Sequence, residues 1–555
     1  MILFLAYSAI ILSILSGSIA LVRLSWPALP LQWIFWLMRL ASVAAIFAGI
    51  GGLNMAQSFV ATLNLGLPWL PWHIHFDSLS ALFYLIIGIA VLSVSFYAPH
   101  YTQTMQNDPQ QFAQLSFFTG GFIGGMWLVL LADDVFLFMI AWELMSVTSY
   151  FLVALEHEEA QNRRAAFLYL LMAQVGALFI LLAFGVLTSF AADFTFDALR
   201  VCTVPTLWMS IAFTLALIGF GMKAGLMPIH VWLPEAHPVA PSHISALMSS
   251  VMLKVAIYGL VRFCFDLLSQ VHWEWGVALL IVGTLSAVSG ILYAMMQQNI
   301  KRALAYSSVE NIGVIVLTLG LSMIFLANDY PDIAALGLLA ALLHAFNHAL
   351  FKNLLFLGAG IIHHQTHALH IDKLGGLMKQ LPKTSLFFLI GCMSISSLPL
   401  FNGFVSEWLA FQTALRVDVL DNGILRSLIP VSAAALALTA ALAAACFVKM
   451  FGLIFLGVPR SRHAQKAKEI TDKSMLAAMA LLAGLCLFFG IFPSVIVRLI
   501  NGVALQLLHT PAPSHAVMTW LSIAPVSPKQ ASYSPVLVLL GALIAAGICV
   551  WFVLR

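Results

Sequence analysis

Nine ionisable side chains interrupt stretches that are otherwise apolar: Glu143, Lys223, Lys254, Glu310, His344, His348, Lys352, Glu407 and Lys449. At the centre of a membrane helix each charged one costs roughly 2.5–3.5 kcal/mol on insertion scales, so such residues face the protein interior, pair with one another or line water. Glu143 follows Asp133 closely enough to lie ~15 Å along its helix, and Lys254 lies ~20 Å beyond Pro241. His344 is also deep in its segment. Carboxylates, lysines and imidazoles at one depth form a lateral row. Burial disfavours the charged form and a neighbour of opposite charge restores it, so water-bridged members can exchange protons.

Other readings stand beside this one. Glu143, Lys223, Lys254 and Glu407 could be structural buried ion pairs. Glu310, Lys352 and Lys449 sit nearer segment ends and could snorkel to the surface. His344 and His348 are spaced i, i+4 on one helical face. That spacing suits a metal, but the sequence supplies no obvious third ligand, and interior hydrogen bonding is the alternative. His363, His364, His367 and His370 fall in a predicted loop, as does the mixed-charge run Glu156–Arg164. Both read as solvated.

The elements that carry these residues are membrane helices. Of 555 residues, 62% are hydrophobic and 8% charged, against about 25% charged in soluble domains. Apolar runs of about 20 residues recur, each able to cross a ~30 Å hydrocarbon core. The expected fold is an all-α polytopic membrane protein with about 14–15 transmembrane helices and no soluble domain. Continuous apolar runs exclude a β-barrel. The net charge of +3 bears on topology rather than on nucleic acid. The six scattered cysteines suggest neither a metal or cluster site nor a disulfide framework. The first segment reads as a retained helix, not a cleaved signal.

Loops after odd-numbered segments, with Arg163, Arg164, Lys301 and Arg302 among their residues, hold more than twice as many Lys and Arg as the even loops. Lys529 falls in an even loop. The positive-inside rule then places the N-terminus outside and Arg555 inside. Proline breaks at Pro228 in segment 7 (206–226) and Pro399 in segment 12 (385–411) lie about 170 residues apart, as do Glu143 and Glu310. Lys254 and Lys449 form a further pair. Two five-helix units, segments 4–8 and 9–13, produce this pattern, with the second inverted relative to the first. Paired breaks in inverted halves point to ion sites. The expected divisions are 1–110, 111–270 (first unit), 271–460 (second unit) and 461–555.

The run KAGLMPIHVWLPEAHPVAPSHISAL (Lys223–Leu247) followed by Lys254 resembles the signature of antiporter-like membrane subunits of respiratory complex I, Mrp antiporters and membrane-bound hydrogenases. DDVFLFMIAWE (Asp133–Glu143), HAFNHALFKNLLFLGAG (His344–Gly360) and LPLFNGFVSEW (Leu398–Trp408) support it. AYSSVENIG (Ala305–Gly313) resembles the hydrogenase-4 component B and formate hydrogenlyase subunit 3 branch. Complex I members generally carry Ser-His where this chain has Glu310-Asn311.

The resemblance implies fourteen core helices with broken helices 7 and 12, and inverted repeats of helices 4–8 and 9–13. It implies that Glu143 pairs with Lys223, that Lys254 is a connecting residue, that His344 and His348 link the halves, and that Glu407 holds the helix-12 position. It further implies a proton-translocating subunit in a bacterial cytoplasmic membrane, partnered by other membrane subunits and a peripheral hydrogenase or electron-transfer module. No catalytic residue, cofactor or metal is expected in this chain, which has no dinucleotide fingerprint. A cation/proton antiporter subunit of Mrp type and a proton channel for inorganic-carbon uptake are the alternatives.

Overall fold

The computed structural model describes residues 1–55, 58–470, 472–512 and 533–554. Lys529 and Arg555 lie outside the described residues. Apolar helices form in the order α1 (Ile2–Ser25), α2 (Gln32–Asn54), α3 (Ser78–Tyr101), α4 (Pro109–Leu131), α5 (Val135–Val153) and α6 (Ala160–Thr188). Next come α7 (Thr206–Ala224), the short α8 (Trp232–Val239), α9 (Ser242–Leu267), α10 (Trp273–Met296), α11 (Ile300–Ala327) and α12 (Pro331–Thr366). The chain continues as α13 (Pro382–Ile395), α14 (Asn402–Ala414), α15 (Gly423–Phe455), α16 (Lys473–Ile491), α17 (Pro493–Leu508) and α18 (Pro535–Leu554). Among the described residues, 13 helices are long and apolar enough to cross a membrane.

Side-chain caps set several starts. Asp77 accepts the Ser80 N–H at 2.8 Å at the head of α3. Asp134 accepts the Leu137 N–H at 2.7 Å at the head of α5. Such caps satisfy N–H groups that the helix itself leaves unpaired. Asp134 explains how α4 and α5 follow one another with almost no linker.

The structure differs from expectation in four places. A β-hairpin, β1 (Phe59–Leu67) with β2 (Leu70–Phe76), joins α2 to α3 in antiparallel register. It bonds onto the α4–α5 junction, where the Asp133 N–H donates to His73 O at 3.0 Å. The apolar segment expected over 474–498 is divided at Phe492, because Pro493 starts a new helix, α17. Helix α12 runs on to Thr366, so His363 and His364 are helical rather than in a loop. Lys301 is likewise not a loop residue: Asn299 accepts the Arg302 N–H at 3.2 Å and starts α11 at Ile300.

Both proline-marked breaks are present. Gly225 ends α7 with φ +81°, a conformation that glycine adopts without steric cost. The chain then passes Pro228 into α8. The carbonyl of Met222, at the end of α7, accepts the indole N–H of Trp232 at 2.8 Å, and the Met227 N–H donates to Ser286 Oγ of α10 at 2.9 Å. Pro399 lies between α13 and α14, where Ser397 and Leu400 have φ of +49° and +77°. Non-helical backbone at membrane depth is tolerated where the protein buries it or water is admitted.

Helices α9, α11 and α12 form the centre and are buried along nearly their whole length. The hairpin, the start of α3 and the end of α9 define one face of the molecule, here the hairpin face. The end of α3 and the starts of α9 and α11 define the opposite, cleft face.

Candidate functional site

The first half of the row does not contain the expected ion pair. Lys223, near the end of α7 and 3% exposed, donates to Ser146 Oγ and to Tyr169 Oη, both at 2.9 Å. Its ammonium also lies 5.0 Å from the Tyr169 ring centroid. Glu143 instead accepts from Gln174 Nε2 at 2.8 Å. It is half-buried and opens onto an outer pocket with Ile140 and Leu178. One helical turn along α5, Ser146 takes the place at Lys223 that was expected for Glu143.

In the centre, Lys254 is fully buried on α9, just after a π-helical turn at Met248–Met252. Its ammonium donates to Ser249 O at 2.7 Å, and the Ser249 hydroxyl contacts that of Ser308 on α11 at 2.7 Å. π-Turns recur at functional sites because they widen the helix and misalign its carbonyls. On α12, Lys352 is fully buried and donates to Leu304 O at 2.8 Å and Ser307 Oγ at 2.5 Å. His344 and His348 stack with centroids 6.4 Å apart. Among the described residues, neither ring nitrogen of His348 has a hydrogen-bond partner.

The far half is continuous with this centre. His344 contacts Ser406 Oγ at 2.9 Å and Asn311 Oδ1 at 3.1 Å. Asn311 in turn donates to the Glu310 carboxylate. Glu310 is 2% exposed, so it does not snorkel, and its charged neighbours are Glu407 and Lys352. Glu407, on α14 after the second break, is also buried. Lys449 stands apart: it is exposed on α15 and donates to Met295 O at 2.9 Å. It does not occupy a place in the second half like that of Lys254 in the first.

Several residues of the site were not singled out from sequence. Tyr169, Ser146 and Ser307 are neutral and gave no signal above the ordinary polar content of membrane helices, and Asn311 stood out only through the Glu310-Asn311 pair, with no role attached. His237 on α8 is fully buried, with both ring nitrogens unpartnered and its ring 5.1 Å from Phe356. Its place in the proline-rich stretch after Lys223 was the available signal. Lys301 is 2% exposed and donates to Ala240 O at 2.9 Å. It lines a cleft of ≈ 760 Å³ with Glu156, Glu159, His363, His364 and His367. The histidine run and the mixed-charge run, read separately as solvated loops, thus meet across one opening.

A second charged cluster closes the hairpin face. Arg262 donates to Asp77 at 2.6 and 2.8 Å and to Asp266 at 3.1 Å. Arg200, from the short helix Phe196–Val201, reaches Asp266 and Asp133, both at 3.0 Å. Burial alone would raise the pKa of Asp77, but Arg262 holds it well below the usual carboxylate range. Burial also acts upward on Asp133, where His75 and Arg200 more than offset it and leave its pKa lowered. Asp134 has its pKa raised by burial, against hydrogen bonds from the His73 and Leu137 N–H groups.

Two interrupted apolar helices, flanking three buried helices that carry a row of lysine, histidine and glutamate, define a polytopic ion-pathway protein. A family model described as NADH:quinone oxidoreductase/Mrp antiporter, transmembrane, matches residues 132–429. The chain belongs to that family. It is 38% identical over 484 residues to hydrogenase-4 component B of Escherichia coli (strain K12), a match covering 85% of this chain and 71% of that protein. It is 34% identical to formate hydrogenlyase subunit 3 of the same strain over 65% of this chain and 58% of the relative. Among solved structures, a chain of the membrane-bound sulfane sulfur reductase, an archaeal respiratory membrane complex, superposes with a TM-score of 0.81 at 23% identity. That match covers 98% of this chain and 84% of the other, and it establishes a shared fold.

Proposed function

We propose that this chain is the proton-translocating, antiporter-like subunit of a multisubunit membrane complex of the hydrogenase-4 or formate hydrogenlyase kind. A peripheral electron-transfer module supplies the driving force, and the redox groups belong to that module. Protons move along Lys223, Lys254, His348, His344, Lys352, Glu310 and Glu407, with Glu143 acting on the Lys223 end. The two breaks sit in two inverted units. The protein lies in the bacterial cytoplasmic membrane with the hairpin face outward.

One observation carries this reading. Lys254 and Lys352 are fully buried, and their hydrogen bonds go only to neutral carbonyl and hydroxyl oxygens. Between them His348 leaves both ring nitrogens free of protein partners. Buried cations hydrogen-bonded only to neutral oxygens are costly, and inside membranes such groups mark ion pathways. Unpartnered ring nitrogens at a polar site are places for bridging water.

The test uses the whole complex in inverted membrane vesicles. Lys223→Ala is expected to assemble normally and to abolish formation of a pH gradient, and normal proton flux in that variant sinks the reading. Glu407→Gln is expected to impair proton release. Gradient formation that requires sodium, with only small antiporter subunits co-purifying, would instead favour an Mrp-type cation/proton antiporter.

A further inference from the structure

The second break is held by a residue from the far C-terminal part of the chain. Tyr533, two positions before α18, is 6% exposed. Its ring packs on Phe404, with centroids 4.8 Å apart, and more loosely on Trp408 at 6.4 Å. Its hydroxyl oxygen accepts the backbone N–H of Leu400 at 3.2 Å. Leu400 is in the left-handed region at φ +77°, a conformation that a branched side chain adopts only when its surroundings enforce it. The carbonyl of the same residue abuts Gly490 of α16, where an added Cβ would lie 2.1 Å from that oxygen. The Leu400 backbone is therefore gripped on both sides, by the Tyr533 hydroxyl and by a position of α16 that accepts only glycine.

What is gripped leads directly to Glu407. The hydroxyl of Ser397, the other residue of the break with positive φ, lies beside the Glu407 carboxyl. Trp408, against which Tyr533 leans, is the next residue along α14. Tyr533 thus touches the loop that carries Ser397 and the helix that carries Glu407.

We infer that Tyr533 is a positioning residue for proton release. Its hydroxyl fixes the break between α13 and α14 in the form that seats Ser397 against Glu407. Tyr533 thereby sets how the last carboxyl of the row meets its surroundings. This rests on the reading of Glu407 as that last carboxyl. The phenol acts through the backbone and exchanges no proton with the row.

The experiment compares Tyr533→Phe, Tyr533→Ala and Glu407→Gln in the complete complex in native membrane vesicles. Gradient formation is followed as a function of pH. Infrared difference spectra follow the carboxyl band of Glu407, assigned by its loss in Glu407→Gln. Tyr533→Phe keeps the ring and loses only the acceptor for Leu400 N–H. It is expected to assemble as the parent does, to slow translocation by about three- to tenfold, as fits one lost hydrogen bond, and to shift both the pH profile and the Glu407 band. An unshifted band together with an unchanged pH profile in Tyr533→Phe overturns the inference, even if Tyr533→Ala assembles poorly. In that case the ring is a packing group. Normal translocation in Glu407→Gln removes Glu407 from the row, whereas the band shift in Tyr533→Phe separately decides whether Tyr533 positions that carboxyl.

Discussion

The ammonium of Lys254 lies 2.7 Å from the carbonyl oxygen of Ser249, five residues back in the same helix. The intervening π-turn, Met248–Met252, turns this carbonyl toward the lysine. A lysine in a regular helix stretches away from its own backbone, whereas this one folds back against it. The same Ser249 contacts Ser308, and Ser307 beside it holds Lys352. The two central lysines are therefore joined through neutral groups of α9 and α11, and among the described residues neither forms an ion pair with a carboxylate.

Lys254→Met tests whether that charge serves function rather than stability. An unpaired buried charge carries a desolvation cost that an apolar group of similar length does not. The variant is expected to keep or raise its thermal midpoint in detergent while losing gradient formation in vesicles. A lowered midpoint with translocation intact would make Lys254 a structural residue.

Tyr169, more than Glu143, is expected to couple energetically to Lys223. A double-mutant cycle on the thermal stability of the complex, with Lys223→Met and Tyr169→Phe, should give an interaction of about 0.5–3 kcal/mol, as found for groups in direct contact. The cycle pairing Lys223→Met with Glu143→Gln should give a smaller one, because Glu143 bonds Gln174 and faces the outer pocket. The reverse order of coupling would mean that Glu143, rather than Tyr169, is the lysine's partner in the membrane.

How far the sequence reveals this site depends on the kind of residue involved. Charges and prolines inside apolar runs are legible because each is costly there, so the row and both breaks stand out. Neutral partners are not legible: Tyr169, Ser146 and Ser307 resemble ordinary helix residues until the fold brings them to a lysine. Lys301 reads as a loop residue because Gln297, Gln298, Asn299 and Arg302 surround it with polar neighbours. It takes the Asn299 cap to turn that stretch into the buried start of a helix. The hairpin is obscured for a different reason. Gly66 and Pro71 interrupt the strand pattern, and β1 shifts register between Leu63 and Gly66.

Acid should destabilise the hairpin face before the row itself is tested. Asp77 and Asp133 have folded-state pKa values below their unfolded ones. Their contribution is thus complete above the unfolded value of about 3.9 and is lost as pH falls through the folded values. Asp134 is shifted upward and has the opposite sign: its contribution exists at low pH and is lost as pH rises through its folded value. With two residues against one, the thermal midpoint should be flat near neutrality and should fall below about pH 4–5. Asp133→Asn leaves Arg200 its bond to Asp266, and it should lower the neutral midpoint while making the acid limb shallower. Midpoints measured across roughly pH 3–8 check both.

Glycines on α10 and α11 should separate packing from function. Gly276, Gly283 and Gly290 recur at heptad spacing on α10, facing Gly313 and Gly320 on α11. Small residues at such spacing let membrane helices approach closely. A Cβ at Gly283 would lie 2.3 Å from Leu317 N, and one at Gly290 would lie 2.5 Å from Glu310 N. Either clash is with backbone and must part the helices, with an overpacking cost of about 1–3 kcal/mol. Gly283→Ala is thus expected to lower the thermal midpoint and yield while the assembled fraction still translocates. Gly290→Ala moves the backbone that carries Glu310, which bonds Asn311 and through it meets His344. It is expected to cost similar stability and also to slow translocation per assembled complex. Equal specific translocation in the two variants would show that Glu310 need not be held where α10 places it.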